Sequence, residues 1–327
     1  MKARMLTSHE AATAFAVEQW LAEQDDDDTY FLLWSTAPTI MLGKYQDALA
    51  EVNQAYAAAH QLTIVRRNSG GGTIFTDPGS FQYSFIAPSE GGGIDFDRFL
   101  DVICQALAKM GVTVRRSSRN DLTIFGRKFS GNAQYNHHGH VVHHGSLLFD
   151  SDVSEMSAAL HVDPLKLKSK HVASVHQRVA NLRECLPDLT PGQFTRQLFN
   201  NVKQLAGPVT DWQPDAAEED EIATIRAERF ANPAFIYNQI PQTALTKERY
   251  FPGGGLVKLA LTVEHGTLTS LHLTGDFFSD LDAGELAASL VGTEFRPATI
   301  GPKLTAFLAA TPIMNISAND LLELLFS

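Results

Sequence analysis

Cysteine is scarce in this chain: Cys104 and Cys185 are the only two in 327 residues. That excludes a disulfide framework and any Cys-x-x-Cys metal pair. Positive charge is also short. Lys and Arg number 26 against 37 Asp and Glu, for a formal net charge of -11. General nucleic-acid binding normally needs a basic face, so it is not expected. No apolar run approaches the ~18 residues that a membrane span requires. Met1 to Gln24 spreads charges among its apolar positions and lacks the apolar core of a signal peptide. The expected compartment is therefore the cytoplasm, with no membrane partner. No repeat of fixed period and no low-complexity tail is present. The remainder has an ordinary globular composition, long enough for two domains at about 100–200 residues each.

Against that background one stretch stands out. Arg66-Arg67-Asn68-Ser69-Gly70-Gly71-Gly72-Thr73-Ile74-Phe75 joins two positive charges to three glycines and then returns to apolar, β-prone residues. Glycines take positive φ and let main-chain N–H groups approach a ligand with no Cβ in the way. A run of such groups forms an anion-binding nest, and Arg67 would add a planar, bidentate charge. The glycines alone also fit a flexible surface turn. A P-loop is excluded, because it needs a strand, its glycines and then a helix carrying Gly-Lys-Ser/Thr. Here strands are predicted on both sides, at Leu62 to Val65 and at Phe81 to Phe85, and that lysine is missing.

A second stretch is Arg119-Asn120-Asp121-Leu122, followed by Gly126-Arg127-Lys128-Phe129-Ser130-Gly131-Asn132-Ala133. Lys128 lies between a turn glycine and small residues. A compact ammonium there suits oxygens that gain negative charge in a transition state; the alternative is a surface lysine in a turn. Asn120 and Asp121 offer oxygen ligands, and Mg2+ is typically held by one carboxylate plus substrate phosphates. His137, His138, His140, His143 and His144 raise the question of zinc. No cysteine is near, and adjacent strand residues such as His143 and His144 point to opposite faces, so no tightly bound metal is expected.

Hydrophobic periodicity places these motifs. Thr7-Ser8-His9-Glu10 fits a capping box opening a helix to about Gln24. Further helices are predicted at Asn53 to His60, Asp95 to Met110, Val153 to Leu160, Pro191 to Leu205 and Asp215 to Asn232. Strands are predicted at Tyr30 to Trp34, Thr39 to Leu42, Val112 to Arg115, Leu122 to Phe125, Lys128 to Gln134 and Val141 to Phe149. Phe81, Tyr83 and Phe85 alternate with Gln82 and Ser84, the period of a half-buried strand. Beyond Pro241 a hairpin at Leu256 to Val263 and Leu268 to Leu273, with Val257, Leu259, Leu261 and Val263 on one face, leads into short helices as a separate α+β unit. Polar Lys166 to Asn181 reads as a long loop and a candidate lid.

These residues carry a resemblance. Arg66 to Phe75 resembles the Arg-Arg-x-Ser-Gly-Gly-Gly signature of lipoate-protein ligases, and Gly126 to Ala133 resembles their lysine motif. Pro38 to Gln46, His143 to Leu148, Ser174-Val175 and Arg178 to Asn181 also look like segments of that family. Arg249 to Phe326, with Gly275-Asp276-Phe277-Phe278, is similar to the accessory domain of its two-domain members. The resemblance implies an α/β (α+β) fold: a biotin-ligase-like large domain with a mixed β-sheet and flanking helices over 1–243, and a small C-terminal α+β accessory domain over 246–327. It implies an ATP-dependent ligase that activates lipoate to lipoyl-AMP with ATP and Mg2+. The lipoyl group then passes to a lysine of apo lipoyl domains, in 2-oxoacid dehydrogenase E2 subunits or glycine cleavage H protein.

Residue by residue, the resemblance makes Lys128 catalytic. Arg67, Ser69, Gly70, Gly71, Gly72, Thr73, Ile74, Phe75, Asn120, Asp121 and Gly131 join it in binding ATP and the lipoyl adenylate, with Asp121 toward Mg2+. His144 and Gly145 fall at the lipoate pocket, with Trp34 and Phe85 as candidate walls for the acyl tail. The sequence departs from the family after Phe75, where Thr76-Asp77 and Gly79-Ser80 stand for the usual His-Asp and Gly-Asn. Two other readings are an ATP-independent octanoyl or lipoyl transferase of the same superfamily and a non-catalytic lipoate-binding protein. The transferase needs an activated thiolate, whereas Cys104 falls on an apolar helix and Cys185 beside no motif.

Overall fold

The computed structural model describes residues 1–91, 93–117, 120–160, 179–237, 245–264 and 266–326. The chain opens with β1 (Lys2–Met5), α1 (Ala11–Ala22), β2 (Tyr30–Ser35), β3 (Thr39–Leu42), α2 (Ala48–Glu51), α3 (Gln54–Ala59), β4 (Thr63–Arg66), β5 (Ile74–Thr76) and β6 (Ser80–Pro88). Then come α4 (Asp97–Ala108), β7 (Arg115–Ser117), β8 (Asp121–Ile124), β9 (Arg127–His137), β10 (His140–Leu148), α5 (Val153–Ala159), α6 (Pro191–Ala206), β11 (Thr210–Asp211), α7 (Ala216–Ile225) and α8 (Pro233–Ile236). The last part holds β12 (Leu245–Phe251), β13 (Gly255–Glu264), β14 (Thr267–Gly275), α9 (Ala283–Leu290), α10 (Pro297–Ala310) and α11 (Ala318–Phe326). Apart from residues 179–181, the candidate lid lies outside the described residues.

The main sheet is mixed, in the order β11-β1-β2-β6-β10-β9-β8-β7, with β1 parallel to both its neighbours and the other pairs antiparallel. Helices cover both faces, so β2 is apolar at every position but its last. Phe31 and Leu33 enter a core with α4 and α6, while Tyr30, Leu32 and Trp34 enter another beneath α1. Full burial of each such side chain is worth about 1.5–3 kcal/mol. β6 differs from the half-buried strand its alternation predicts: it is buried along nearly its whole length. On its polar side Gln82 borders a cavity and Ser84 is bonded to Trp34 and Glu18.

The capping box predicted at Thr7 to Glu10 does not form. Glu10 itself stands at the N-cap without a side-chain cap bond, its carboxylate accepting instead from the Arg226 guanidinium.

A second sheet, β4-β3-β5, packs with α2, α3, α5 and α8 around Ile40, Leu42, Val52 and Phe75. The third, β12-β13-β14, is closed by α9, α10 and α11 around a core of its own. A register shift at Thr262/Val263 turns Val263 away from the face that alternation predicts for it, leaving it 38% exposed.

This last unit is seated on the large one through the segment after β3. Tyr45 stacks on Phe277 at 4.4 Å, and its hydroxyl lies 2.6 Å from the Leu281 carbonyl. Lys44 Nζ donates to the same carbonyl at 2.8 Å. From the other side Asn136 clasps Asp280, its N–H and its side-chain amide donating to the two carboxylate oxygens at 2.7 and 2.6 Å.

Candidate active site

The glycine stretch connects β4 to β5, so it lies between strands as its sequence predicts. The two arginines do different work. Arg66 is fully buried and donates to the carbonyls of Gly43, Gln46 and Ile236, among others. It is a strut that holds the start of the loop. Arg67 staples the loop to itself: Nε donates to Ser69 Oγ at 3.1 Å, Nη1 to Met41 O at 3.2 Å, and Nη2 to Gly70 O and Gly72 O at 2.8 and 2.7 Å. Burial lowers both guanidinium pKa values to about 10, so both remain charged at neutral pH.

Two of the loop amides have protein partners. Gly71 N–H donates to Phe277 O of the accessory unit at 3.1 Å, and Thr73 N–H donates to Gln46 Oε1 at 3.1 Å. Gly71 takes a φ of 87°, which favours glycine, whereas at Gly70 and at Gly43 close approach excludes a side chain. A Cβ on Gly70 would stand 2.2 Å from Phe277 O, and one on Gly43 would stand 2.0 Å from Gly71 O.

The lysine motif is the β8–β9 hairpin. Its turn, Phe125-Gly126, has φ of 50° and 75°, positive at both central residues as a tight hairpin requires. Lys128 Nζ lies 2.7 Å from Asp121 Oδ1, with the lysine side chain 36% exposed. It gets there by crossing Gly131, where a Cβ would meet Nζ at 2.7 Å. Asn120 and Asn132 pin the two strands, with Asn120 Nδ2 donating to Asn132 O at 2.6 Å and Asn132 N to Asn120 O at 3.0 Å.

A chain of buried polar groups runs deeper. Trp34 Nε1 donates to Ser84 Oγ at 3.0 Å, and Ser84 donates to Glu18 Oε1. His144 Nδ1 lies 3.0 Å from Glu18 Oε2, and its Nε2 lies 2.6 Å from Ser69 Oγ. A carboxylate only accepts, so His144 Nδ1 carries a proton and donates it to Glu18. On the neutral ring Nε2 is then the acceptor, and the Ser69 hydroxyl donates to it while accepting from Arg67 Nε. The hydrogen bonds thus converge on the Glu18 carboxylate, tying the wall at Trp34 to the glycine loop. His143 points the other way, buried against Phe99 at 4.9 Å, and burial pushes its imidazole down to about 3.

Both motifs and the Trp34–His144 wall line one cavity of about 490 Å³. Arg67, Gly71, Gly72, Thr73, Ile74, Phe75, Asn120, Asp121, Lys128, Gly131, Trp34, His144 and Gly145 all border it. Ser69 and Gly70 lie behind the loop surface, against His144 and Phe277. Phe85 is not in the wall; it packs on Phe31 at 4.9 Å in the core on the opposite face of β6. Gln82 on the polar side of β6, Phe15 of α1, Asn132 of the lysine motif and Asp276 and Phe278 of the segment Gly275 to Phe278 also border the cavity, although the sequence assigned none of them to the site. Strand alternation could have found Gln82; nothing local marks the reach of Phe278 to this cavity.

Cys104 and Cys185 are absent from this cavity, and burial raises both thiols above their ordinary value, away from a thiolate nucleophile. Among the described residues, no helix is long and apolar enough to cross a membrane.

The chain is similar to known proteins over most of its length. The family model "Lipoyl protein ligase A/B catalytic domain" matches residues 10–203, and "Bacterial lipoate protein ligase C-terminus" matches 240–325. The chain is 32% identical over 316 residues to lipoate-protein ligase LplJ of Bacillus subtilis, covering 95% of each. It is 34% identical over 269 residues to lipoate--protein ligase 1 of Staphylococcus aureus, covering 81% of each. In fold it is similar to P. falciparum LipL1 in complex with lipoate, with a TM-score of 0.76, 17% identity and 93% of each chain covered. It is also similar to lipoate-protein ligase A bound with ATP, at a TM-score of 0.62 and 19% identity, where 73% of this chain covers 100% of that one. With both the catalytic and the C-terminal patterns matched across one continuous chain, the protein belongs to the lipoate-protein ligase family.

Proposed function

We propose that the cavity is the site of an ATP-dependent lipoate-protein ligase reaction. The observation that carries this reading is the meeting of the glycine loop and Lys128 at a cavity whose far wall is Trp34 and His144. In the first step a lipoate carboxylate oxygen attacks the α-phosphorus of ATP, the bond to the β-phosphate oxygen breaks, and lipoyl-AMP and pyrophosphate form. In the second, the neutral amine of an acceptor lysine attacks the mixed anhydride, giving an amide, AMP and a proton. No enzyme nucleophile is needed, in keeping with the raised thiols of Cys104 and Cys185.

Lys128 supplies positive charge to the carboxyl and α-phosphoryl oxygens as charge builds on them. Its ion pair with Asp121 and its seat across Gly131 hold the ammonium in place. Asp121 is also the carboxylate suited to Mg2+ entering with the nucleotide, since one carboxylate plus phosphates is the usual set. The ion would neutralise phosphate charge. The Gly71 N–H would join in holding an anion only by exchanging Phe277 O for it. The large and accessory units divide at 1–243 and 246–327, and the cytoplasm is the compartment. Acceptors are apo lipoyl domains of the E2 type or the glycine cleavage H protein; an archaeal ligase of similar fold, TM-score 0.63, is described together with its E2 lipoyl domain.

Incubation with lipoate and α-labelled ATP tests this. Labelled lipoyl-AMP should be recovered with the protein and should release AMP when an apo lipoyl domain is added. Lipoylation that proceeds without ATP would refute it.

A further inference from the structure

We infer that the corner where α1 meets the β9–β10 hairpin is a binding site for a divalent transition ion of the zinc type, formed by Glu23, His137 and His138. One ligand atom from each residue lies within 4.8 Å of the others. His137 Nε2 and Glu23 Oε1 are 2.8 Å apart, and the two imidazole rings have centroids 4.4 Å apart.

Adjacent residues on a strand face opposite ways, which separates His143 from His144. His138 escapes that rule because it has left the strand. It occupies the first central position of the hairpin turn, with φ of 46° followed by 80° at Gly139. The left-handed backbone swings its ring to the same side as that of His137. Both rings then face the last turn of α1, where Glu23 forms the C-cap.

The electrostatics favour a cation. A helix C-terminus carries about half a negative charge, and α1 has no basic residue in its last turn to offset it. The acidic run Asp25 to Asp28 follows directly, with only Lys2 paired to Asp26 and Asp28 among the described residues. Gln19 Nε2 donates to Glu23 Oε1 at 2.8 Å and orients that carboxylate. His140, opposite His137 on β10, is committed to the Asp26 carbonyl at 3.0 Å and stays outside the ligand set.

Two imidazoles and a carboxylate suit zinc, nickel or copper over magnesium, which prefers oxygen. Zinc bonds are about 2.0–2.2 Å, so small rotations of the side chains close the set around one ion, with water completing it. Binding replaces the proton between His137 and Glu23. The ion would clasp the end of α1 to the hairpin one residue from Asn136, which holds Asp280 of the accessory unit.

The test uses the full chain without an affinity tag. Zinc alone is titrated by calorimetry in Mg2+-containing buffer, and Co2+ is titrated in parallel for its visible absorption. The wild type should bind about one equivalent with a Co2+ band from nitrogen and oxygen ligands. His138→Asn keeps the turn, since Asn-Gly is favoured in this hairpin type, and removes one ligand. Removing a ligand costs at least as much as losing a supporting contact, about 10- to 100-fold in affinity. His138→Asn and Glu23→Gln should both show such a loss, and zinc should raise the thermal midpoint of the wild type but not of His138→Asn. His60→Gln, on the surface of the small-sheet region, should bind as the wild type does. No saturable binding by the wild type, or wild-type affinity in His138→Asn and Glu23→Gln, would overturn the assignment.

Discussion

Glu18→Gln probes the buried polar chain that ties the Trp34 wall to the glycine loop. Glu18 is 1% exposed, and its two oxygens accept from Ser84 and from His144. An amide cannot accept on both sides. With its NH2 toward Ser84, that serine receives bonds from both the new amide and Trp34, and its own O–H has no acceptor. With its NH2 toward His144, the imidazole must move its proton to Nε2 and donate to Ser69, which leaves the Ser69 O–H without one. Either arrangement strands one buried hydroxyl, at about 1–3 kcal/mol, and removes charge assistance from two hydrogen bonds, at about 1 kcal/mol each. The sum is about 3–5 kcal/mol, a large fraction of a typical domain's total stability. Urea denaturation of wild type and Glu18→Gln measures it directly, and the 15N shifts of His144 report which ring nitrogen carries the proton. A stability change within about 0.5 kcal/mol of zero, or a wild-type His144 protonated on Nε2 alone, would refute the direction assigned to these bonds.

Gly131→Ala should lower lipoate-dependent adenylation while leaving the urea midpoint nearly unchanged, because the new methyl meets only the flexible end of Lys128, at 2.7 Å. Gly70→Ala should do the reverse in kind: its methyl meets backbone at Phe277, so the accessory unit should loosen, seen as faster proteolysis between the two units. Phe125→Asn should raise stability by about 1 kcal/mol in urea, since Phe125 is 72% exposed at φ 50° and asparagine tolerates that conformation. His143 has its folded pKa depressed to about 3, below an unfolded value of about 6.5. The unfolded chain therefore binds the extra proton first; the contribution is complete above about pH 6.5 and is lost as pH falls toward 3, for about 5 kcal/mol in all. His143→Leu should flatten that acid limb in denaturation curves taken from pH 7 to pH 4.

Much of the site was legible because its motifs are local. The glycine loop and the lysine hairpin each need small residues at fixed offsets, and the structure brings both to one cavity. Phe85 falls outside the wall because an aromatic residue on an alternating strand says nothing about which face holds the ligand; on β6 the cavity is bordered by the polar Gln82, and not by the aromatic residues. Glu18 was invisible for a related reason. It is a charged residue on an otherwise apolar helix, and its partners Ser84 and His144 lie 66 and 126 residues away. Strands β1, β7 and β12 carry the sequences KARM, RRS and LTKERYF, whose charges mask the β pattern; β7 and β12 are edge strands and β1 lies next to the short edge strand β11. The accessory unit's hairpin was readable from its alternation, but its reach onto the glycine loop through Phe277 and Tyr45 is a long-range contact with no local signature.

The central claim is that Lys128 acts electrostatically at an acyl-adenylate site, and lipoate-dependent exchange of label between pyrophosphate and ATP measures that step alone. Removing one such charge typically costs about 10²- to 10³-fold in rate. Lys128→Ala should therefore lose exchange by that factor while keeping the wild-type urea midpoint, as expected for a side chain 36% exposed. Near-normal exchange by Lys128→Ala, or no lipoate-dependent exchange by the wild type, would contradict it.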